Sequence, residues 1–219
     1  MKYYPVCLDV AGKKCVVVGG GEVAERKVKR LVECGACVTV VGKVLTPSLR
    51  AMTAEGRIEH VTADYDEAYI HGAFLVIGAT DRDEVNERIS HEARERNILV
   101  NIADDPARCD FILPSLFRRG DLLFAISTGG KSPALATKLR EELESHYGPE
   151  YATFLDLLGE LREKIVARGH PPPENKRLFT ALVNSDILQY IKEKNWGCIK
   201  KVIRDILDIE WTENREQDR

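Results

Sequence analysis

The sequence predicts an α/β fold, a parallel sheet with helices on both faces, followed by a central segment of different character and a helical C-terminal region. Three observations predict it. Short Val- and Ile-rich runs alternate with amphipathic helical patterns through roughly the first hundred residues, as expected of parallel strands buried on both faces. A triple glycine, Gly19-Gly20-Gly21, joins the first run to the first helical pattern. Beyond Asp110 the alternation stops, and after Gly148-Pro149 helical patterns dominate.

Taken in order, the predicted strands are Cys15–Val18, Cys37–Val41, Ile58–Val61, Ala73–Gly78 and Ile98–Ile102. Between them, apolar positions 24, 28, 31 and 32 share one face of a helix over Glu22–Cys34, and Gly35 is placed to stop it. Thr46-Pro47 reads as a cap and first helical residue. Positions 85, 89 and 93 recur every four residues in a helix over Asp83–Asn97. Two further strands, Phe111–Leu113 and Leu122–Ile126, flank the turn Arg118-Arg119-Gly120-Asp121. Ser132-Pro133 starts a helix over Ala134–Tyr147, which Gly148-Pro149 ends. Helices are then expected over Tyr151–Arg168, Lys176–Leu182, Asp186–Lys194 and Cys198–Ile209, with Gly169–Pro173 as a linker and a polar tail from Thr212.

The 219 residues carry 32 basic and 35 acidic side chains, a net charge of −3, which argues against a general nucleic-acid binder. No apolar run approaches the ~20 residues of a membrane span, and Met1–Pro5 does not read as the start of a secretory leader. A cytoplasmic protein with reduced thiols is therefore expected. Cys34-Gly35-Ala36-Cys37 is formally C-x-x-C, but it falls at a helix end rather than a helix start, and no second ligand pair accompanies it. No metal site is expected.

The glycine turn fits strand, G-x-G-x-x-A, then helix. Gly19 permits the tight turn, Gly21 lets the backbone approach a pyrophosphate, and Ala24 allows helix and strand to pack closely. The first-turn N–H groups of Glu22, Val23 and Ala24 would face the phosphates. This is the Rossmann-like dinucleotide fingerprint. One part is missing: the second strand ends Val40-Val41-Gly42-Lys43-Val44, without the acid that usually holds the ribose. Backbone groups near Lys43 and Val44 would then hold it. Lys43 either attracts a 2′-phosphate, favouring NADP, or is an ordinary loop lysine.

Several ordered motifs carry a resemblance. They are Tyr4-Pro5-Val6, the run from Val18 to Lys27, Gly78-Ala79-Thr80-Asp81, Asn101–Pro106, Phe111-Ile112-Leu113-Pro114-Ser115 and Ser127–Pro133. The chain resembles the precorrin-2 dehydrogenase/sirohydrochlorin ferrochelatase family, the N-terminal module of sirohaem synthases. The resemblance implies an NAD-binding Rossmann-like domain (1–112), a dimerisation segment (113–149) and a helical domain (150–211), with the polar tail at 212–219. It also implies an intertwined homodimer that binds the tetrapyrrole in a cleft. Many relatives carry a fused methyltransferase; 219 residues leave no room for one, so precorrin-2 is expected from another protein.

The implied reaction is NAD-dependent dehydrogenation of precorrin-2 to sirohydrochlorin, and some members also insert Fe2+ into the product. The resemblance makes Asp104 the catalytic base. Gly19, Gly21, Glu22, Val23, Ala24, Lys43, Val44 and Thr80 would bind the cofactor. The substrate carries eight carboxylates, so Arg108, Arg118, Arg119 and Lys131, with Ser127 and Thr128, are candidates for its cleft. Rival readings are an NAD-binding regulatory module and a Rossmann dehydrogenase for another substrate; neither has a use for the ordered motifs from Asp104 to Pro133.

Overall fold

The computed structural model describes residues 2–212; the tail expected beyond Thr212 lies outside the described residues. The chain forms two compact units that meet in sequence at Leu113 and Pro114.

The first unit holds five parallel strands: β1 (Lys14–Val18), β2 (Cys37–Val41), β3 (Glu59–Val61), β4 (Leu75–Gly78) and β5 (Leu99–Ile102). Their order across the sheet is β3-β2-β1-β4-β5, so the topological switch lies between β1 and β4. Strand alternation divides the core in two. Cys15, Val17, Val38, Val40, Leu75 and Ile77 pack with α1 (Glu22–Glu33) and α2 (Pro47–Ala54). Val16, Val18, Val41, Val76, Val100 and Ile102 pack on the other face, with Val85, Ile89 and Ala93 of α3 (Asp83–Glu95).

The helix ends follow the local chemistry. Gly35 takes φ +75°, its N–H donates to Val32 and that of Ala36 to Leu31, a Schellman stop that ends α1. Thr46 Oγ1 accepts from the Leu49 N–H at the start of α2, with Pro47 behind it.

In the second unit, β6 (Ser115–Arg119) and β7 (Leu122–Ile126) form an antiparallel hairpin. The expected strand Phe111–Leu113 is not one. Phe111 packs on the first core cluster and its carbonyl accepts from Asn101, and Pro114 offers no N–H, so pairing begins at Ser115. Phe117 stacks on Phe124 at 4.7 Å, and Tyr147 and Tyr151 extend the aromatic row. Ser132 Oγ caps α4 (Pro133–His146) through the Leu135 N–H.

Four helices complete the unit: α5 (Glu150–Ala167), α6 (Pro172–Val183), α7 (Ile187–Lys192) and α8 (Trp196–Leu207). They bury Leu161, Ile165, Leu182, Ile187, Ile199 and Ile203 together. α6 starts earlier than expected, at Pro172. Prolines are tolerated in a first turn because those N–H groups have no helical acceptor anyway.

Candidate functional site

The glycine loop sits where β1 ends, and two neighbouring loops shape it. A Cβ on Gly19 (φ +119°) would lie 2.2 Å from the Ala79 carbonyl oxygen, beyond β4. A Cβ on Gly20 would lie 2.0 Å from the Val44 carbonyl oxygen, beyond β2. The Gly20 carbonyl also accepts from the Thr46 N–H at 3.0 Å, and the Gly19 N–H donates to Val41 at 2.8 Å. The loop is thus clamped from both sides. Gly21 differs: a Cβ there would meet nothing within 4 Å. It is the N-cap of α1 and supplies no capping side chain, so the N–H groups of Glu22, Val23 and Ala24 lack helical acceptors, and the space a Gly21 side chain would take is open. A bare positive helix end beside a glycine that leaves room fits a pyrophosphate. Gly20 was missing from the sequence-derived candidates, because a fingerprint leaves its middle residue unspecified; only the approach of Val44 reveals the need for glycine.

Lys43 and Val44 follow β2. Val44 is highly exposed. Lys43 Nζ lies 2.6 Å from Asp64 Oδ2, just past β3, and Asp64 Oδ1 lies 3.6 Å from Arg82 before α3. The hydrogen bond from Lys43 holds the Asp64 carboxyl below its ordinary pKa. Neither Asp64 nor Arg82 could be found from sequence, since Asp64 is remote along the chain from both of the cations it faces.

Thr80 is bound into its own turn. Its hydroxyl donates to Asn86 Oδ1 at 2.9 Å and accepts from the Arg82 N–H, while Asn86 Nδ2 donates back to the Thr80 carbonyl at 3.0 Å. With Asn86 buried, this clasp secures the start of α3 beside the glycine loop.

Asp104 and Asp105 follow β5 and diverge. Asp105 accepts from the Ala107 N–H at 3.0 Å and pairs with Arg108 at 3.2 Å. Asp104 is exposed and takes φ +63°, an uncommon left-handed conformation outside glycine. Among the described residues its carboxylate has no hydrogen-bond or ion-pair partner. Lys27 on α1 lies within its electrostatic reach; burial, opposed by the Asp104 charge, lowers the Lys27 pKa. Arg108 is occupied by Asp83 at 2.5 Å and by Asp105, which ties the start of α3 to the turn after β5. The first unit therefore gathers Gly19, Gly21, Glu22, Val23, Ala24, Lys43, Val44, Thr80 and Asp104 at the carboxyl edge of one parallel sheet, where open α/β sheets bind ligands.

The other candidates lie in the second unit. Arg119 is turned inward: its guanidinium donates to the Tyr147 and Glu144 carbonyls at 2.9 and 3.1 Å and to the Glu144 carboxylate, closing the C-terminus of α4. Arg118 is exposed, and among the described residues its guanidinium donates to the Gly120 carbonyl alone, at 3.2 Å. Ser127 Oγ accepts from the Gly129 N–H, and Thr128 Oγ1 bonds Ser132 in both directions, shaping the loop before α4; Lys131 stands exposed on it. Among the described residues, no three His, Cys, Asp or Glu side chains converge as a metal site, and no helix is long and apolar enough to cross a membrane.

Parallel order, clamped glycine loop and bare helix end define a dinucleotide-binding α/β protein. Residues 6–115 match the family model described as "Putative NAD(P)-binding", and residues 119–146 match "Sirohaem biosynthesis protein central". The chain belongs to that NAD(P)-binding family, here joined to a sirohaem-biosynthesis central segment. It is 44% identical over 179 residues to the siroheme synthase of Methylobacillus flagellatus, covering 82% of this chain and 38% of that protein. It is 39% identical over 188 residues to siroheme synthase 1 of Aeromonas salmonicida, covering 86% of this chain and 40% of that protein. The chain thus spans about two-fifths of the length of these curated relatives. The solved structure of "SirC, precorrin-2 dehydrogenase" superposes with a TM-score of 0.79 at 27% identity, covering 94% of this chain and all of that one.

Proposed function

We propose that the chain is an NAD-dependent precorrin-2 dehydrogenase that acts in the cytoplasm in sirohaem biosynthesis. Gly21 and the N–H groups of Glu22, Val23 and Ala24 hold the pyrophosphate, and the loop at Lys43 and Val44 receives the adenosine ribose. Thr80 lines the opposite side through its backbone, since its hydroxyl is occupied. When bound, the nicotinamide supplies the hydride acceptor.

Asp104 supports this reading above all. Forming the new double bond releases a hydride and a proton, and the proton needs an acceptor. A carboxylate can take up that proton, and among the described residues that of Asp104 is exposed and unshared at the strand edge that carries the glycine loop. Its left-handed backbone is the kind of local strain that gathers at functional positions. Asp105, two bonds committed, has no such freedom. Arg118 and Lys131 are the cations left to meet the substrate carboxylates, with Ser127 and Thr128 shaping the loop that presents Lys131.

The protein works as a homodimer. The hairpin leaves one edge open on each strand, and Leu123, Leu135 and Leu139 are all exposed around it. A two-stranded ribbon is marginal by itself and an open edge invites a partner. Fe2+ would be a second substrate rather than a resident ion.

The deciding experiment is anaerobic incubation with precorrin-2 and NAD+, followed by absorbance. Wild type is expected to form sirohydrochlorin. Asp104→Ala is expected to form none while still binding NAD+. Unchanged turnover in that variant removes Asp104 from the reaction, and no spectral change with wild type removes the reaction itself.

A further inference from the structure

No acid stands at the end of β2, yet a carboxylate occupies that neighbourhood. Asp64 comes from the loop after β3, and its Oδ2 meets Lys43 at 2.6 Å. Lys43 directly precedes Val44, whose carbonyl crowds Gly20. Asp64 also faces Arg82, two residues beyond Thr80, at 3.6 Å. The charges run Lys43, Asp64, Arg82, from the loop on one side of the glycine turn to the loop on the other. The three side chains are 64, 62 and 59% exposed, so all can be reached from solvent. Two cations held by one anion form a balance that a single change would tip.

We propose that Asp64, reaching across from β3, replaces the missing β2 acid as the residue that receives the adenosine ribose and selects NAD over NADP. The inference rests on the NAD reading above. A ribose 2′-hydroxyl donates to a carboxylate; a 2′-phosphate brought to the same place meets a like charge. Asp64 draws Lys43, and at longer range Arg82, onto itself, so both cations are turned to the carboxylate rather than to a 2′-phosphate. Without the Asp64 charge, Lys43 and Arg82 stand free beside the ribose, and the same edge favours phosphate.

Calorimetric titration of the full chain with NAD+ and with NADP+ tests this. Wild type should bind NAD+ more tightly. Asp64→Asn, an exposed and near-isosteric change, should lower the ratio of the NADP+ to the NAD+ dissociation constant by about tenfold or more, mainly by tightening NADP+. Adding Lys43→Ala to Asp64→Asn should reverse most of that gain. A ratio unchanged by Asp64→Asn, including equal weakening of both dinucleotides, overturns the inference. The wild-type constants separate the two failures: equal affinity for both dinucleotides overturns the inference, and binding of neither overturns the NAD reading on which it rests.

Discussion

Gly20 and Val44 meet backbone to backbone, so closely that a single methyl group on Gly20 would lie 2.0 Å from the Val44 carbonyl oxygen. The contact locks the turn after β1 to the loop after β2. Gly21, its neighbour, borders open space instead.

Adjacent glycines should therefore fail differently. Gly20→Ala forces two backbone segments apart and should cost roughly 1–3 kcal/mol of stability, as overpacking does. Gly21→Ala should cost less than about 1 kcal/mol, the loss of a tolerated N-cap, yet weaken dinucleotide binding by filling the cradle. Thermal unfolding and calorimetric titration on both variants would separate the effects. Equal losses of stability would contradict the assignment of open space to Gly21.

Asp104 should show stability and activity in opposition. Glycine adopts φ near +63° without steric cost, so Asp104→Gly should hold or raise the stability, by up to about 1 kcal/mol. The same variant should have no dehydrogenase activity. Denaturant titration beside the absorbance assay reads both. A clear loss of stability would mean that the carboxylate has a structural partner.

Arg118 and Arg119 should also separate, despite adjacency. Arg119→Ala leaves the Tyr147 and Glu144 carbonyls at the end of α4 without this donor and should cost about 1–3 kcal/mol. Arg119→Lys should recover little, since one ammonium cannot reproduce the fork. Arg118→Ala should leave the unfolding midpoint unchanged and raise the KM for precorrin-2. A KM unmoved by Arg118→Ala would remove it from substrate binding.

The Asp83–Arg108 pair sets a pH dependence with a definite sign. The Arg108 guanidinium holds the Asp83 carboxyl below its ordinary pKa. A carboxyl depressed in the fold stabilises it above the unfolded value of about 3.9, and that contribution is lost as pH falls through the lower folded value. NMR titration of Asp83 should give a midpoint below about 3.9, rising in Arg108→Gln. An identical midpoint in both proteins would show that the pair does not form in solution.

Local pattern carried most of the architecture. The buried strands announced themselves as Val and Ile runs, and Thr46-Pro47, Ser132-Pro133 and Gly35 marked helix ends through chemistry that acts over a few residues. Where a local rule met a non-local demand, it failed. Phe111–Leu113 has the composition of a strand, but Phe111 is drawn to the first core and pairing waits for Ser115. Pro171–Pro173 reads as a breaker, yet the helix starts inside it.

The order of strands, the clamped turn and the separate fates of paired residues belong to the tertiary structure. Sequence could place Asp104 beside Asp105 and Arg118 beside Arg119, but not say which of each pair is occupied by a partner and which stands free. Nor could it supply Asp64 to Lys43. The reason is physical. Helix caps and strand burial depend on neighbours along the chain, whereas a charge or carbonyl is satisfied by whatever the fold brings within about 3 Å, at any separation in sequence.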